Sequence, residues 1–325
     1  MPGELQLAAQ LGVGRDTVKE AIRLLEVEGL LVPQGAGKQR RIALKPQNAG
    51  TTTLRVEILL YEPLDRKANY FADLKHRIRD AGHVANFSSK TLTGMGMDLK
   101  RVARFVESTT ADAWIVVSGS GEVLEWFANR TTPCFALYGR FIKLPLPRTY
   151  PKKSPALIKA VRSLISMGHQ RIVMLCREER RKPEPGFLER VFLDELKAHG
   201  IATGSYNLPD WQENATGLNR ALDKLFQHTP PTALIVGQPP IFLAVRQYLA
   251  QRGILAPRDI SLICTDPDPG FDWYEPQISH IRWDAEPMLR RMIQWVDNVA
   301  HGRADRKISA NQAVFVEGGT IGPAK

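Results

Sequence analysis

The feature that most constrains this chain is the alternation of short apolar runs with helical stretches from residue 54 to residue 301. The apolar runs are continuous, as at residues 113–118 and 233–236, and do not alternate with polar residues. Continuous runs are typical of strands that are covered on both faces, and repeated strand–helix units form parallel sheets. We therefore predict an α/β fold with two doubly wound lobes in tandem over residues 54–320.

The apolar runs and the helical stretches alternate in a regular order. The predicted strands are 54–60, 84–88, 113–118, 134–137, 171–176, 233–236 and 260–264. The predicted helices are 68–81, 99–108, 122–129, 155–167, 186–199, 214–227, 241–252 and 285–301. Because open α/β sheets bind ligands at the carboxyl ends of their strands, we expect a ligand cleft between the lobes.

A polar segment divides the chain near residue 50. Residues 45–53, Lys-Pro-Gln-Asn-Ala-Gly-Thr-Thr-Thr, contain Pro and Gly without apolar periodicity, which is typical of a linker. A chain of 325 residues has room for two or three domains. We predict a small domain at 1–44, a linker at 45–53 and the two-lobed domain at 54–320.

Two predicted helices in the small domain have the layout of a helix-turn-helix, with a turn at residues 12–14. Apolar residues recur at helical spacing in the second helix, at Val18, Ala21, Ile22 and Leu25. Beside them, Arg15, Lys19 and Arg23 form one basic stripe. Such a helix packs its apolar face on its neighbour and presents its basic face to the major groove. The alternative is a solvated charged face without a DNA-binding role.

A basic, glycine-rich segment follows at residues 34–42, Gln-Gly-Ala-Gly-Lys-Gln-Arg-Arg-Ile. It suits a hairpin whose tip glycines, Gly35 and Gly37, permit a close approach of the backbone. A hairpin after a helix-turn-helix makes a winged helix. The net charge of +10 favours a polyanionic partner, although a generally basic surface would give the same charge.

Residues 1–44 resemble the DNA-binding head of GntR-type regulators, and residues 2–31 carry the match. The resemblance implies DNA contacts by Gly14, Arg15, Thr17, Lys19 and the wing at 35–37, to which we add Arg23 and Lys38. Leu5 departs from the family, which usually has a phosphate-binding arginine there. The family also usually has a further helix before the position of Met1. If the head lacks that helix, we expect greater solvent exposure of Leu7, Leu11 and Ile22.

Three segments of the larger domain resemble LacI-type regulators and periplasmic sugar-binding proteins. They are Asn-Tyr-Phe-Ala-Asp-Leu at 69–74, Leu-Ile-Ser-Met-Gly-His-Gln-Arg-Ile at 164–172 and Arg-Gly-Ile-Leu-Ala-Pro-Arg-Asp-Ile-Ser at 252–261. A GntR-type head joined to such a sensor is similar to the arabinose-repressor group of bacterial regulators. The resemblance implies a two-lobed periplasmic-binding-protein-like fold and a small-molecule effector in the cleft.

The predicted ligand-binding residues are Tyr70, Phe71, Ser118, Lys152, Arg190, Gln238 and Asp266. Tyr70 and Phe71 offer ring faces, Arg190 offers a fork of donors and Asp266 accepts from hydroxyls. Core packing is the alternative for the two rings, a structural ion pair for Arg190 and Asp266, and a simple chain turn for residues 118–121. Lys152 stands where relatives often have an aspartate, and Gln238-Pro239 where they often have Asn-Asp.

Residues 139–160 contain six basic residues and no acidic one, namely Arg140, Lys143, Arg148, Lys152, Lys153 and Lys159. One hypothesis is an anionic ligand, and the alternative is a basic outer surface. Equal binding of a neutral sugar and its phosphorylated or acidic analogue would count against an anionic ligand.

Other functions find little support in the sequence. No phosphate-binding glycine loop, nucleophile elbow or metal-ligand spacing is present, so we expect no enzyme, no metal and no cofactor. Three cysteines in apolar runs, no secretory signal and no long apolar segment favour a cytoplasmic protein without a membrane span. We expect a ligand-responsive repressor that binds double-stranded operator DNA as a homodimer. The alternatives are a solute-binding protein without a DNA-binding role and a regulator with a degenerate pocket.

Overall fold

The computed structural model describes residues 4–27, 31–32, 41–42, 52–140 and 144–325. The chain divides into two compact units, Met1–Thr52 and Thr53–Lys325. The narrower domain and linker boundaries stay predictions. Among the described helices, none combines the length and apolar character that a bilayer span requires.

The first unit contains the predicted helix-turn-helix. Helix α1 covers Glu4–Leu11 and helix α2 covers Arg15–Val27, and Gly12 between them has a φ of +65° that suits glycine. Strands β1 (Leu31–Val32) and β2 (Arg41–Ile42) pair antiparallel, as expected of a wing. Its core consists of Val18, Ile22 and Leu31, with Leu7 and Ala8 packed against them.

The apolar residues of this unit differ in how deeply they are buried. Ile22 is buried and Leu7 is half-buried, whereas 65% of Leu11 is exposed. Of the three residues expected to lose cover, only Leu11 is therefore open to solvent. Ile22 keeps its cover because it packs on Val18 and Leu31 within the same small core.

The second unit alternates strands and helices. Its strands are β3 (Arg55–Leu59), β4 (Val84–Phe87), β5 (Ala113–Val117), β6 (Cys134–Leu137), β7 (Arg148–Lys152), β8 (Ile172–Leu175), β9 (Ala233–Val236), β10 (Ser261–Cys264), β11 (Ser279–Trp283) and β12 (Ile308–Val316). Its helices are α3 (Asn69–Asp80), α4 (Leu99–Glu107), α5 (Gly121–Ala128), α6 (Ser154–Ser166), α7 (Glu178–Arg181), α8 (Phe187–Ala198), α9 (Ala215–His228), α10 (Pro239–Ala250) and α11 (Glu286–Ala300). Short 3-10 helices lie at Pro63–Lys67, Thr93–Met95 and Pro269–Trp273.

These strands form one hydrogen-bonded sheet in the order β4-β3-β5-β6-β7-β12-β11-β10-β9-β8. Every neighbouring pair is parallel except β11 and β12. The first lobe is built around β3–β7 and the second around β8–β11, and β12 pairs with a strand of each lobe. Separate apolar clusters cover the two faces of each lobe's strands, as in doubly wound folds.

The lobes are not simply in tandem, which corrects one expectation. Helix α11 follows the strands of the second lobe, yet its Met288, Met292 and Trp295 pack in the same cluster as Ile58 and Phe71 of the first. The first lobe is thus completed by a helix that follows the second lobe in the chain.

Candidate functional site

A cavity of about 760 Å³ lies in the second unit, at the carboxyl ends of strands from both lobes. It is lined by the residues that directly follow or come shortly after five strands: Ser118, Tyr138, Arg177, Gln238 and Asp266. This is the position at which open α/β sheets bind ligands. Its size fits a small organic ligand.

Three residues at this edge have strained backbones. Ser118, Tyr138 and Gln238 have φ angles of 53°, 60° and 65°, in the left-handed region that favours glycine. Among the described residues they are three of the four non-glycine residues with positive φ. Such strain is concentrated at ligand sites, where the surrounding structure holds the backbone in place.

Four rings form one side of the cavity, which we name the aromatic wall: Tyr70, Phe71, Tyr138 and Trp283. The Trp283 ring stands edge-on to Tyr70 at 6.1 Å and to Tyr138 at 6.3 Å between centroids. Phe71 is fully buried and belongs to the core of the first lobe as well. The wall therefore offers ring surface for a ligand to stack on.

Asp266 lies beside this wall and is held by three donors. The ammonium of Lys153 pairs with it, the Trp283 Nε1–H donates to it at 3.2 Å, and the Thr265 hydroxyl donates at 3.0 Å. The Lys153 ammonium also lies 5.8 Å from the centroid of the Trp283 ring. One corner of the cavity is thus filled by an ammonium group of the chain itself.

Arg177 connects the lobes across the cavity. Its guanidinium pairs with Glu62, which follows β3 in the first lobe, and donates from Nε to Gln238 Oε1 at 2.7 Å in the second. Glu213 accepts from the Tyr61 hydroxyl at 3.1 Å and lies 3.5 Å from Arg177. Burial opposes the charge of Arg177, but the carboxylates of Glu62 and Glu213 raise its pKa, so the guanidinium stays charged.

Two carboxyl groups in the second lobe keep an unsatisfied oxygen. Glu189 is 2% exposed, and its Oε1 accepts from Arg180 Nε at 3.0 Å. The Oε2 atoms of Glu189 and of Glu179 are buried and accept no hydrogen bond from the described residues. Burial raises the pKa of Glu179 to about 7, so its carboxyl group changes charge near neutral pH.

Five of the seven predicted ligand residues line this cavity: Tyr70, Phe71, Ser118, Gln238 and Asp266. Lys152 does not; it is exposed, and the next residue, Lys153, lines the cavity instead. Neighbouring positions at a strand end point to opposite sides, so a shift of one residue moves the side chain away.

Arg190 also lies outside the cavity lining. It donates to the Pro185 carbonyl at 2.6 Å and is near Glu184, while the preceding residue, Glu189, lines the cavity. Consecutive residues of a helix point about 100° apart, so only one of this pair reaches the site. The arginines that line it are Arg177, Arg180 and Arg282.

Five residues that line the cavity were not predicted from the sequence: Tyr138, Arg177, Glu179, Arg180 and Trp283. Tyr138 and Arg177 come directly after β6 and shortly after β8, so the strand-end rule alone could have identified them. Trp283 ends β11, a strand that was not predicted.

The basic segment at 139–160 contributes little to the cavity. Of its described basic residues, only Lys153 lines the cavity. Arg140 donates to the Glu179 carbonyl at 2.6 Å and also bonds the Glu184 carbonyl, while Lys152 and Lys159 are exposed. Lys143 lies outside the described residues.

The turn at 118–121 begins a helix. The Ser120 side chain accepts from the Val123 N–H at 3.3 Å and caps α5. Gly119 lies against Gly139, where a Cβ would come within 2.6 Å of the Gly119 carbonyl. Ser118 stays in the cavity lining, so this segment combines a structural turn with a place in the site.

The predicted DNA-binding residues of the first unit lie in and before α2. Gly14, Arg15, Thr17, Lys19 and Arg23 are exposed, and Arg23 pairs with Glu20 at 2.9 Å. Exposure leaves this face open to a phosphate backbone. Gly35, Gly37 and Lys38 lie outside the described residues.

The described residues hold no group of three or more His, Cys, Asp or Glu side chains placed to bind a metal ion. Cys134, Cys176 and Cys264 are free and buried, and burial raises the pKa of each thiol. They are therefore poor nucleophiles.

Two family models match the chain. Residues 1–37 match the model described as bacterial regulatory proteins, gntR family, and residues 161–320 match a periplasmic binding protein-like domain. No curated protein sequence matches the chain.

Solved structures of LacI-type regulators are similar to the chain in fold. A putative LacI transcriptional regulator from Bacillus cereus subsp. cytotoxis NVH 391-98 has a TM-score of 0.69 at 15% identity and covers 84% of this chain and 100% of its own. The lac repressor dimer bound to operator and the anti-inducer ONPF has a TM-score of 0.67 at 16% identity, covering 84% and 96%. A LacI family regulator from Enterococcus faecium with bound ribose has a TM-score of 0.64 at 14% identity, and the match covers 83% of this chain and 100% of that structure's chain.

One family match lies in each of the two units of the structure. They also confirm the predicted combination of a GntR-type head with a periplasmic-binding-protein-like fold. The chain therefore carries a GntR-type helix-turn-helix domain at its N-terminus, followed by a periplasmic-binding-protein-like domain whose fold is that of LacI-type regulators.

Proposed function

We propose that this chain is a transcriptional regulator whose affinity for operator DNA is controlled by a small molecule in the cavity of the second unit. The observation that carries the proposal is the presence in one chain of a GntR-type helix-turn-helix and a 760 Å³ cavity at the strand ends of a two-lobed fold. The cavity lining favours binding through hydrogen bonds and ring stacking over bond making, so we propose a sensor and not an enzyme.

The proposed DNA contacts come from the exposed face of α2. Arg15 stands at the start of the helix and Lys19 one turn later, so both can reach the same stretch of phosphate backbone or base edges. Arg23 also lies on this face, but its charge is shared with Glu20. We therefore expect Arg15 and Lys19 to contribute more than Arg23.

We further propose that the chain acts as a homodimer and that ligand binding relieves repression. One helix-turn-helix reads a single half-site, and two-fold symmetry doubles the contacts. The lac repressor structure, a dimer bound to operator, supports this arrangement by analogy of fold. Sedimentation of the purified chain as a monomer at micromolar concentration would contradict the dimer.

Fluorescence anisotropy with a labelled duplex from upstream of the chain's own gene tests the DNA-binding role. We expect sequence-selective binding that weakens steeply between 50 and 200 mM salt, roughly 10³-fold or more for six or more phosphate contacts. Arg15→Ala should weaken binding about tenfold or more, corresponding to about 1–3 kcal/mol.

The matched control is Arg220→Ala, which removes an exposed helical arginine from the second unit and should leave affinity unchanged. Equal affinity for the upstream duplex and for a shuffled duplex would overturn the DNA-binding proposal. So would equal losses in the Arg15 and Arg220 variants, because both would then act through net charge alone.

A further inference from the structure

We propose that the ligand of this cavity carries a protonated amine, which the carboxyl group of Glu179 receives while the aromatic wall packs on the rest of the molecule. The inference rests on the proposed function, because it assigns a chemical class to the ligand of that same cavity. It departs from the anionic ligand considered for the basic segment at 139–160.

The charge balance inside the cavity bears on the charge of its ligand. Among the described lining residues that are not fully exposed, six carry carboxyl groups: Glu62, Asp65, Glu179, Glu189, Asp266 and Asp268. Only three carry a cation: Lys153, Arg177 and Arg180. Lys67, Arg282 and Asp272 also line the cavity but are exposed at its edge. The interior therefore has an excess of acidic groups.

Each interior cation already has a carboxylate partner. Arg177 pairs with Glu62, Arg180 with Glu189 at 3.0 Å, and Lys153 with Asp266. An anionic ligand would have to displace one of these carboxylates and then share a confined space with it. Such like-charge contacts are costly in a buried site, so the geometry disfavours an anion.

The remaining carboxyl groups differ in how far the chain itself satisfies their oxygens. Asp65 accepts from the Glu62 N–H at 3.0 Å and Asp268 from the Gly270 N–H at 2.7 Å, so their oxygens are partly satisfied within the chain. The buried Oε2 of Glu179 accepts nothing from the described residues, and the same is true of Glu189 Oε2. A ligand that donates hydrogen bonds would satisfy these oxygens, and a charged donor would also compensate the burial of a carboxylate.

The corner of the cavity beside Asp266 already contains an ammonium group. There the ammonium group of Lys153 pairs with Asp266 and lies near the face of the Trp283 ring. Ammonium groups bind favourably between a carboxylate and an aromatic ring. The Glu179 carboxyl group, beside Arg177 and Arg180, is available to a ligand ammonium in the same way. The rings of Tyr70 and Tyr138, which lie next to Trp283 in the aromatic wall, are available to the rest of the ligand.

The proposal has a consequence for pH. A bound ammonium favours the charged form of Glu179, so ligand binding should expel a proton and affinity should fall as the pH drops below about 7. The charged or titratable groups that face Glu179 from the surrounding elements are Tyr61, Arg140, Cys176, Arg177, Arg180 and Glu213, and Glu189 pairs with the same Arg180. The arginines keep their charge throughout this range, so they do not reverse the sign.

Isothermal titration calorimetry of the full chain with matched compounds tests the proposal. The probes are glucosamine, galactosamine and mannosamine, the neutral parent hexoses, the hexose 6-phosphates, and ethanolamine and putrescine. We expect at least one amine to bind about tenfold or more tightly than its uncharged counterpart and than any phosphate. At pH 7, titrations in buffers of different ionisation enthalpy should show that Glu179 releases protons when the amine binds.

Glu179→Gln should lower the affinity for the amine about tenfold and remove the proton release. The matched control is Glu184→Gln, a nearby carboxyl group that is exposed and lies outside the cavity lining. It should leave both quantities unchanged. Thermal melting of both variants separates a binding defect from a folding defect.

Tighter binding of a hexose or a hexose phosphate than of any amine would overturn the proposal, and so would the failure of every amine to bind at millimolar concentration. Neither result would remove the proposed function, because a sugar or a phosphate that shifts the affinity for DNA would still make the chain a ligand-controlled regulator.

Discussion

At the residue scale, Asp305 holds the connection between α11 and β12. It accepts two bonds from the buried guanidinium of Arg291, at 2.9 and 2.6 Å, and one from the Asn298 amide at 2.9 Å. We expect Asp305→Asn to lower the free energy of unfolding by about 3 kcal/mol, because it leaves the Arg291 charge buried and unpaired. Urea denaturation measures this loss, and Asp194→Asn, at an exposed position, should stay within about 0.5 kcal/mol of the parent.

The same pair predicts a dependence on pH. Burial alone would raise the pKa of Asp305, but bonds from Asn298, the Lys307 N–H and Arg291 lower it below the ordinary value. A group with a lowered pKa stabilises the fold above its unfolded pKa of about 3.9, and this contribution is lost as the pH falls further. The parent should therefore lose more stability than Asp305→Asn between about pH 4 and pH 2. Parallel curves for the two proteins would refute this assignment.

Backbone strain at Ser118 gives a further prediction. Its φ of 53° is costly for a residue with a Cβ, so Ser118→Gly should raise the free energy of unfolding by about 1 kcal/mol. Ser118→Ala keeps the Cβ and serves as the control for loss of the hydroxyl. If the glycine variant is less stable than the alanine variant, strain at this position is not what the backbone angle indicates.

Single residues also show how far the sequence could predict the site. Ser118, Gln238 and Asp266 were predicted correctly as lining residues, and each comes shortly after a strand whose position was also predicted correctly. Lys152 and Arg190 were each one position away from a residue that lines the cavity. The side-chain direction reverses with each residue of a strand and turns by about 100° with each residue of a helix. A sequence motif alone therefore could not tell which of two neighbouring residues lines the cavity.

At the element scale, the link between the lobes through Arg177 should control how closed the empty cleft is. Arg177→Met would leave Glu62 and Glu213 without their shared cation, so the two carboxylates should repel each other. We expect a larger radius of gyration in small-angle X-ray scattering of the ligand-free chain and a loss of stability of about 3 kcal/mol. Arg220→Met is the control, and identical scattering curves for both variants would contradict this role for Arg177.

Elements differed in how well the sequence predicted them. The predicted helices and strands that were found begin and end within two residues of those in the structure. The strands could be predicted because both faces of the sheet are covered, which gives each strand a continuous apolar run. Strands β7, β11 and β12 were missed. β7 contains Arg148, Pro151 and Lys152, and the exposure of β12 alternates over its first half, so neither has a continuous apolar run. These strands join the lobes, and long-range pairing more than local composition fixes their structure.

At the scale of the whole molecule, the linker predicted at residues 45–53 must carry the signal between the two units. Insertion of several Gly-Ser pairs there should leave the affinities for DNA and for ligand unchanged but remove the effect of one on the other. Flexible insertions reduce mechanical coupling without altering either site. Anisotropy titrations with and without ligand measure this, and full coupling in the lengthened chain would show that the signal takes another route.

The central claim is that one ligand in the cavity changes the affinity of the chain for its DNA. The most direct measurement is the dissociation constant for the upstream duplex, with and without a saturating concentration of the tightest-binding compound of the calorimetric series. A non-binding compound from the same series is the control. We predict a change of about 5- to 150-fold, corresponding to about 1–3 kcal/mol of coupling. Identical dissociation constants with ligand, without ligand and with the control compound would contradict the account.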